Sequence, residues 1–115
     1  MKNSSDIYDL VKWIDAHLEM KLSVDIVVKR AGYSKWYLQR LFKIIIGISL
    51  GRYIRERRLT NAAEELCFTT EPVLDIALKY QFDSQQTFTR AFTRHFGTSP
   101  VAYRNRNKTY TGCKS

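Results

Sequence analysis

The segment SKWYLQRLFKIIIGIS at residues 34–49 returns fifty positions later as SQQTFTRAFTRHFGTS at residues 84–99. A shift of 50 places Ser34 on Ser84, Arg40 on Arg90, Phe42 on Phe92, Gly47 on Gly97, Ser49 on Ser99 and Tyr53 on Tyr103. The matches include serines that can cap a helix and glycines that can end one. Upstream the shift is 49, so the second copy has one more residue in its turn. Each copy predicts a short helix, a tight turn and a second helix, the pattern of a helix-turn-helix.

Helical periodicity extends over nearly the whole chain. Apolar residues recur at steps of three and four, beginning with Ile7, Leu10, Val11, Ile14 and Leu18. With the cap residues, this pattern predicts helices at 6–18, 24–31, 35–46, 50–66, 72–80 and 85–96, and a short one from 100. The predicted fold is all-α, with two helix-turn-helix subdomains at 1–49 and 67–104. A linking helix at 50–66 joins them, and a flexible basic tail is expected at 105–115.

The predicted linking helix has an apolar stripe that changes sides. On a helical wheel its first half places Leu50, Tyr53 and Ile54 near 0°, and its second half places Leu59, Ala62, Ala63 and Leu66 about 170° away. A helix packed on one core would keep one stripe, so the two halves are expected to pack on different subdomains. The helix is about 25 Å long, and the two reading helices would pack about 8–10 Å from it. Together these distances set the reading helices near the roughly 34 Å of one DNA turn. A single chain could then read two successive major-groove segments.

The second helix of each copy has a polar face opposite its apolar one. The apolar sets are Leu38, Leu41, Phe42 and Ile45 in one copy, and Phe88, Ala91, Phe92 and His95 in the other. The opposite faces carry Trp36, Gln39, Arg40 and Lys43, and Gln86, Thr89, Arg90 and Thr93. Arginine can pair with guanine, glutamine with adenine, and an exposed Trp or Thr can pack on a thymine methyl group. Residues 34–46 and 84–96 contain no acid, which favours an approach to phosphates.

Composition narrows the class of protein. The 115 residues include 19 Lys and Arg against 11 Asp and Glu, a formal charge of +8 that favours a polyanionic partner. With 44% hydrophobic and 13% aromatic residues, the chain is too apolar for a disordered basic tail. No apolar run approaches the roughly 20 residues of a membrane span, and charges interrupt the N-terminal segment where a signal peptide would be apolar. We therefore expect a protein that stays in the cytoplasm.

Catalytic and metal-binding patterns are not evident. Cys67 and Cys113 stand far apart, and neither His17 nor His95 has a Cys or His at ligand spacing. There is no Gly-rich phosphate loop, and most serines fall at helix caps. The carboxylates of the first helix are expected to form a solvated face, which consists of Asp6, Asp9, Asp15 and Glu19. We therefore do not expect an enzyme. We also expect no disulfide, no metal site and no other cofactor.

Four segments, AGYSKWYLQRLFK, SLGRYIRERRLT, ALKYQF and DSQQTFTRAF, resemble the AraC/XylS transcription activators, specifically the small MarA, SoxS and Rob group. The resemblance covers roughly residues 6–104. It implies a seven-helix DNA-binding domain that binds asymmetric promoter sites as a monomer, bends the DNA and recruits RNA polymerase. It also implies a bacterial protein that associates with the nucleoid when bound to promoters, and target genes for multidrug efflux, lowered porin levels and oxidative or antibiotic stress. Many such proteins have an effector-binding domain, but only about five residues precede the first predicted helix, so regulation through the amount of protein is expected.

The resemblance also implies which residues contact DNA. By position, the base-contacting residues are Trp36, Gln39, Arg40, Gln85, Gln86, Thr87 and Arg90, although Gln85 and Thr87 flank the predicted polar face. Contacts to the DNA backbone are expected from Lys35, Lys43, Arg52, Arg55, Thr89, Thr93 and Arg94. In the linking helix, Arg52, Arg55, Arg57 and Arg58 are either solvated charges or phosphate contacts.

Some positions depart from the pattern of that group, and one alternative function remains. Gln81 stands where a glycine commonly ends the fifth helix; a left-handed Gln would cost about 1 kcal/mol, which favours a turn built differently. The run Ile44, Ile45 and Ile46 stands where polar residues are usual, and is either a partner-facing patch or half buried beside a loop. The alternative is an adaptor whose basic faces bind RNA polymerase or another acidic protein without reading DNA.

Overall fold

The computed structural model describes residues 3–107, and within this range the protein is all-α, as predicted. Its helices are α1 (Asn3–Asp15), α2 (Val24–Ala31), α3 (Lys35–Ile46), α4 (Leu50–Phe68), α5 (Val73–Lys79), α6 (Gln85–Phe96) and α7 (Pro100–Asn107). Helix α1 ends three residues before the predicted position because the chain tightens there. The His17 amide donates to the Ile14 carbonyl oxygen at 2.9 Å instead of continuing the α-helical pattern. Leu18, just beyond, is nevertheless buried.

Helix α7 corrects one prediction about the tail. Residues 105–107, expected to be part of a flexible tail, form the last turn of α7. The amide side chain of Asn107 donates a hydrogen bond to the Tyr103 carbonyl oxygen at 2.8 Å, which satisfies one carbonyl at the end of this helix. The remainder of the expected tail, including Cys113, lies outside the described residues.

The chain divides into two compact units after Arg57, in the middle of α4. In the first unit the N-terminal half of α4 buries Leu50 and Ile54. In the second unit its C-terminal half buries the residues on the other stripe, Leu59, Ala62, Ala63 and Leu66. The helix that the sequence sets apart as a linker therefore contributes to both cores.

The two units repeat the same local contacts. Ser34 and Ser84 cap α3 and α6 through hydrogen bonds from the amides three residues later, at 3.2 and 3.1 Å. Gly47 and Gly97 end these helices in left-handed conformations, with φ of 98° and 77°. The edge-to-face ring pair Phe42 and Tyr53 of the first unit, with centroids 5.6 Å apart, is matched by Phe92 and Tyr103 at 5.3 Å. The sequence repeat is thus also a repeat of caps and core packing.

Polar contacts hold α1 in the first unit. Of the four acids predicted to form a solvated face, Asp6, Asp9 and Glu19 are exposed, and only Asp15 is half buried. Asp6 accepts a hydrogen bond from the Tyr33 hydroxyl at 2.8 Å, and Asp15 accepts one from the Tyr53 hydroxyl at 2.9 Å. Arg57 also lies against Asp15, with its Nε 3.4 Å from a carboxylate oxygen. Burial and the hydrogen bond to Asp15 together raise the pKa of Tyr53 to about 12. Asp15 therefore joins α1 to α4 through two side chains.

The turn after α5 differs from the sequence expectation, because Gln81 does adopt the left-handed conformation, with φ of 69°. The Phe82 amide donates to the Ala77 carbonyl oxygen and the Gln81 amide to that of Leu78, both at 3.0 Å. These two hydrogen bonds form a Schellman motif, the usual end of a helix before a left-handed residue. The hydrogen bonds of the motif and the packing of Phe82 against Phe88 thus hold a non-glycine residue in this conformation.

Replacing Gln81 with glycine is expected to raise the free energy of unfolding by about 1 kcal/mol, because glycine adopts positive φ without the Cβ clash. Denaturant titration of both proteins would measure the difference. Gly97→Ala is the matched control. A Cβ there would meet open space, so only the backbone conformation is penalised, and a loss of about 1 kcal/mol is expected. If Gln81→Gly destabilises the protein, the side chain of Gln81, not the Schellman motif alone, stabilises the turn.

Candidate nucleic-acid interface

The outward face of α3 has a shallow, open depression, the α3 groove. Its walls are Trp36, Gln39, Arg40, Lys43, Ile44 and Ser49. All of these side chains are exposed, and 68% of the Trp36 surface remains accessible. On the opposite side of the helix Leu38 and Phe42 are fully buried, which fixes the rotation of α3 about its axis. The four residues of the predicted polar face are therefore brought together on one surface.

Arg40 and Trp36 are in direct contact within this groove. The Arg40 guanidinium carbon lies 5.5 Å from the centroid of the indole ring, within the range of a cation–π interaction. The two residues are four apart in sequence and so are neighbours on the helix surface. This contact restricts the Arg40 side chain before any partner binds and leaves its hydrogen-bond donors available.

The outward face of α6 forms a second groove, in the second unit. It is lined by Gln85, Gln86, Thr89, Arg90, Thr93 and Arg94. The structure corrects the helical wheel for Gln85, which shares this groove instead of flanking it. Thr87 is exposed but lies away from the groove, and its hydroxyl accepts a hydrogen bond from Ser84 at 3.1 Å. The Thr87 hydroxyl is thus hydrogen-bonded to Ser84, the residue that caps α6.

His95 is a second correction to the helical wheel. The wheel places His95 on the apolar face of α6, but in the structure the residue is exposed. Phe96 is half buried at this end of the helix, and its ring centroid is 5.3 Å from that of Tyr103. The His95 ring packs edge-on against Phe96, with centroids 4.6 Å apart. The last turn of α6 is therefore covered by rings from α6 and α7, which leaves His95 outside.

The residues expected to contact the DNA backbone have different surroundings. Lys35 and Arg52 are exposed but paired with acids: Nζ of Lys35 is 3.1 Å from Asp25, and Nε of Arg52 is 2.7 Å from Glu56. Such surface pairs contribute at most about 1 kcal/mol, so a phosphate can replace the carboxylate. Lys43, Arg55, Thr93 and Arg94 are exposed, and Thr89 is half buried.

Two arginines of α4 are set apart from the rest by their burial. Arg57 contacts Asp15, as described above, and about 38% of its side chain is exposed. Arg58 is half buried, and burial lowers the pKa of its guanidinium. Arg57 therefore makes a contact within the first unit while part of its side chain stays exposed. Of the four arginines of this helix, Arg52 and Arg55 are the exposed ones.

Sequence reasoning missed two residues of the first groove, Ile44 and Ser49. Ile44 follows Trp36 and Arg40 at steps of four, a spacing that places all three on one face and could have identified it. Ser49 caps α4, and its hydroxyl oxygen accepts a hydrogen bond from the Arg52 amide at 3.2 Å. The isoleucine run is divided: Ile44 is 68% exposed, while Ile45 and Ile46 are half buried.

Comparison with known proteins identifies the family. Residues 27–106 match the family model described as a helix-turn-helix domain. The chain is 49% identical over 106 residues to the regulatory protein SoxS of Escherichia coli (strain K12), a match that covers 92% of this chain and 99% of SoxS. The chain belongs to the AraC family of DNA-binding transcription regulators. A solved AraC-type regulator from Chromobacterium violaceum has the same fold, with a TM-score of 0.85 and 28% identity over 91% of this chain and 94% of that one.

A second relative of this AraC-family chain is longer. The right origin-binding protein of Escherichia coli (strain K12) is 53% identical over 104 residues, which are 90% of this chain. The chain spans about a third of that relative, 36% of its length. By name these relatives are a regulatory protein and an origin-binding protein, and neither name describes an enzyme. Within residues 3–107, no helix of this AraC-family protein has both the length and the apolar character needed to cross a membrane.

Proposed function

We propose that this AraC-family protein is a sequence-specific transcription activator that inserts α3 and α6 into successive major-groove segments of promoter DNA. It binds as a monomer, because one chain supplies both reading helices. It then recruits RNA polymerase in the bacterial cytoplasm. Its target genes are those of stress or multidrug resistance, and its ligand is double-stranded promoter DNA.

The observation that carries the proposal is the pair of matching grooves on α3 and α6. Each groove contains an exposed arginine, Arg40 or Arg90, at the same position of the repeat, and at least one exposed glutamine. Neither helix contains an acid. Arginine and glutamine are the side chains that pair with guanine and adenine through two hydrogen bonds each, so both grooves have the chemistry of base reading.

The roles of individual residues follow from this chemistry. Base contacts are proposed from Trp36, Gln39 and Arg40 on α3 and from Gln85, Gln86, Thr87 and Arg90 on α6. Gln85 is supported by its place in the groove, and Thr87 less so because the Ser84 cap engages its hydroxyl. Backbone contacts are proposed from Lys35, Lys43, Arg52, Arg55, Thr89, Thr93 and Arg94, which fix the position of each helix without reading sequence.

Recruitment of polymerase and the choice of target genes rest on relatives and resemblance. SoxS is a regulatory protein that this chain matches over nearly its full length, and the right origin-binding protein is matched over about a third. The resemblance to the small group of stress and resistance activators favours the same classes of gene here. The adaptor alternative would not require an arginine at the same position of two repeated helices.

Replacing Arg40 or Arg90 with alanine tests base reading. Each variant is expected to lose about 1–3 kcal/mol of affinity for a preferred site and to relax the preference at one base pair. The preferred site would be selected by the protein from random duplexes, and affinity for that site and for random DNA would be measured by fluorescence anisotropy. The two relaxed base pairs are expected about one DNA turn apart.

Arg55→Ala is the matched control for these two variants. Arg55 is exposed on α4 and is proposed to contact phosphate, so its loss should weaken binding to all sequences alike. An Arg40→Ala variant that keeps the parent's ratio of specific to random affinity would show that α3 does not read bases. If the parent itself shows no preference for any duplex, the adaptor function is favoured.

A further inference from the structure

Ile44 is the apolar residue of the α3 groove that the proposed function leaves without a role. It is 68% exposed and lines the same groove as Trp36 and Arg40. Single exposed apolar residues are common on protein surfaces, so exposure by itself indicates nothing. The position of Ile44 is the informative feature, because an approach of α3 to DNA that brings in Trp36 and Arg40 also brings in Ile44.

The helical spacing indicates where Ile44 would lie along the major groove of DNA. Trp36, Arg40 and Ile44 follow one another at four-residue steps, and each step rises about 6 Å along the helix. The base pairs of DNA are about 3.4 Å apart. With α3 running along the groove, Ile44 would therefore face a base pair about two steps from the one that Arg40 reads.

The chemistry of the side chain limits what it can contact there. Isoleucine has no hydrogen-bond donor or acceptor, so it would leave a phosphate or a polar base edge desolvated and unpaired. The apolar group that a base presents in the major groove is the C5 methyl group of thymine. The corresponding position in the second unit is Arg94, an exposed cation, so the two reading helices differ at this position.

We propose that Ile44 is a specificity-determining residue that packs on the methyl group of a thymine about two base pairs from the one read by Arg40. This inference rests on the proposed function of α3 as a reading helix. It predicts a thymine preference in the half-site that the first unit reads. The half-site that the second unit reads should lack this preference, because Arg94 stands at the corresponding position.

The test replaces thymines of a selected binding site, one at a time, with deoxyuridine, which lacks only the C5 methyl group. For the parent protein, one substitution in the first half-site is expected to weaken binding about fourfold, the usual effect of one apolar carbon leaving contact. For Ile44→Ala the same substitution is expected to have no effect, because the partner of the methyl group is absent. Ile44 is exposed, so its replacement should leave stability nearly unchanged.

Ile26→Ala is the matched control. Ile26 is an exposed isoleucine of α2, 44% accessible, and lies outside the α3 groove. This variant should respond to every deoxyuridine as the parent does. Suppose that the parent prefers its selected site and that Ile44→Ala responds to every deoxyuridine as the parent does. The assignment of Ile44 is then wrong, while base reading by α3 stands. If the parent shows no preferred site at all, the proposed function itself fails.

Discussion

Inserting two alanines after Arg57 is expected to abolish specific DNA binding while both units stay folded. The insertion falls where the chain divides into its two units, so the Asp15, Tyr53 and Arg57 contacts of the first unit and the core of the second remain complete. Alanine is the strongest helix former, so α4 should continue through the insertion. The part of α4 after it would be rotated by about 200° and moved by about 3 Å relative to the part before it.

The expected change in affinity is large because two-site binding depends on the phase of the two units. Under the proposed function, α6 could no longer enter the major-groove segment of DNA that follows the one occupied by α3. The dissociation constant should rise from the specific range of about 10⁻⁸ to 10⁻¹¹ M to the non-specific range of about 10⁻⁴ to 10⁻⁶ M. Anisotropy titrations on the selected site at physiological salt would measure the change.

The control for this variant is an insertion of two alanines after Asn107, at the end of α7, which lengthens the chain outside both reading helices. Circular dichroism and a thermal melt of both insertion variants would establish that they remain helical and cooperative. A folded Arg57 insertion variant that binds its site as tightly as the parent would rule out the two-site proposal. One helix-turn-helix would then supply nearly all of the recognition.

Binding is also expected to weaken steeply with salt. If the protein binds DNA through about six to ten phosphate contacts from Lys and Arg, log affinity against log salt concentration should have a slope of about −5 to −9, from about −0.9 per contact. Affinity would then fall about 10³- to 10⁵-fold between 50 and 200 mM salt. The ion pairs of Lys35 with Asp25 and Arg52 with Glu56 do not prevent these contacts, because Lys35 and Arg52 are themselves exposed and such pairs are weak.

Single-residue controls make the salt measurement specific. Arg55→Ala should make the slope less negative by about 0.9, the contribution of one phosphate contact. Arg40→Ala should change the slope less if Arg40 binds a base edge. A parental slope shallower than about −2 on duplexes of any sequence would contradict counterion release and favour the adaptor that binds an acidic protein.

Much of this fold could be predicted because its signals are local. Ser34 and Ser84 each cap a helix with an amide three residues away, and Gly47 and Gly97 end those helices through their own left-handed backbone. Such contacts involve neighbours in sequence, so residue type and spacing suffice to find them. The outward faces of α3 and α6 follow in the same way from the 3.6-residue period once Phe42 and Phe92 are known to be buried.

Other features depend on how aromatic rings pack in the folded chain, which residue type and helical spacing do not specify. His95 is exposed because Phe96, beside it, is half buried against Tyr103 at the end of α6. The left-handed Gln81 is tolerated because the Schellman hydrogen bonds and the packing of Phe82 on Phe88 offset its backbone cost. In both cases ring packing contributes favourable free energy that the sequence pattern does not show.

The sequence by itself determined the helices, their caps and the basic faces, since each depends on residues within about one or two turns of each other. The repeat was found by comparing the chain with itself at a shift of 50. The tertiary structure alone decided which charges are available to a partner. Arg57 and Asp15 lie 42 positions apart in sequence and resemble ordinary surface charges, yet folding brings them together beside the Tyr53 hydroxyl. Charges attract over distances that sequence spacing does not encode, so only the folded chain separates the structural Arg57 from the exposed Arg52 and Arg55.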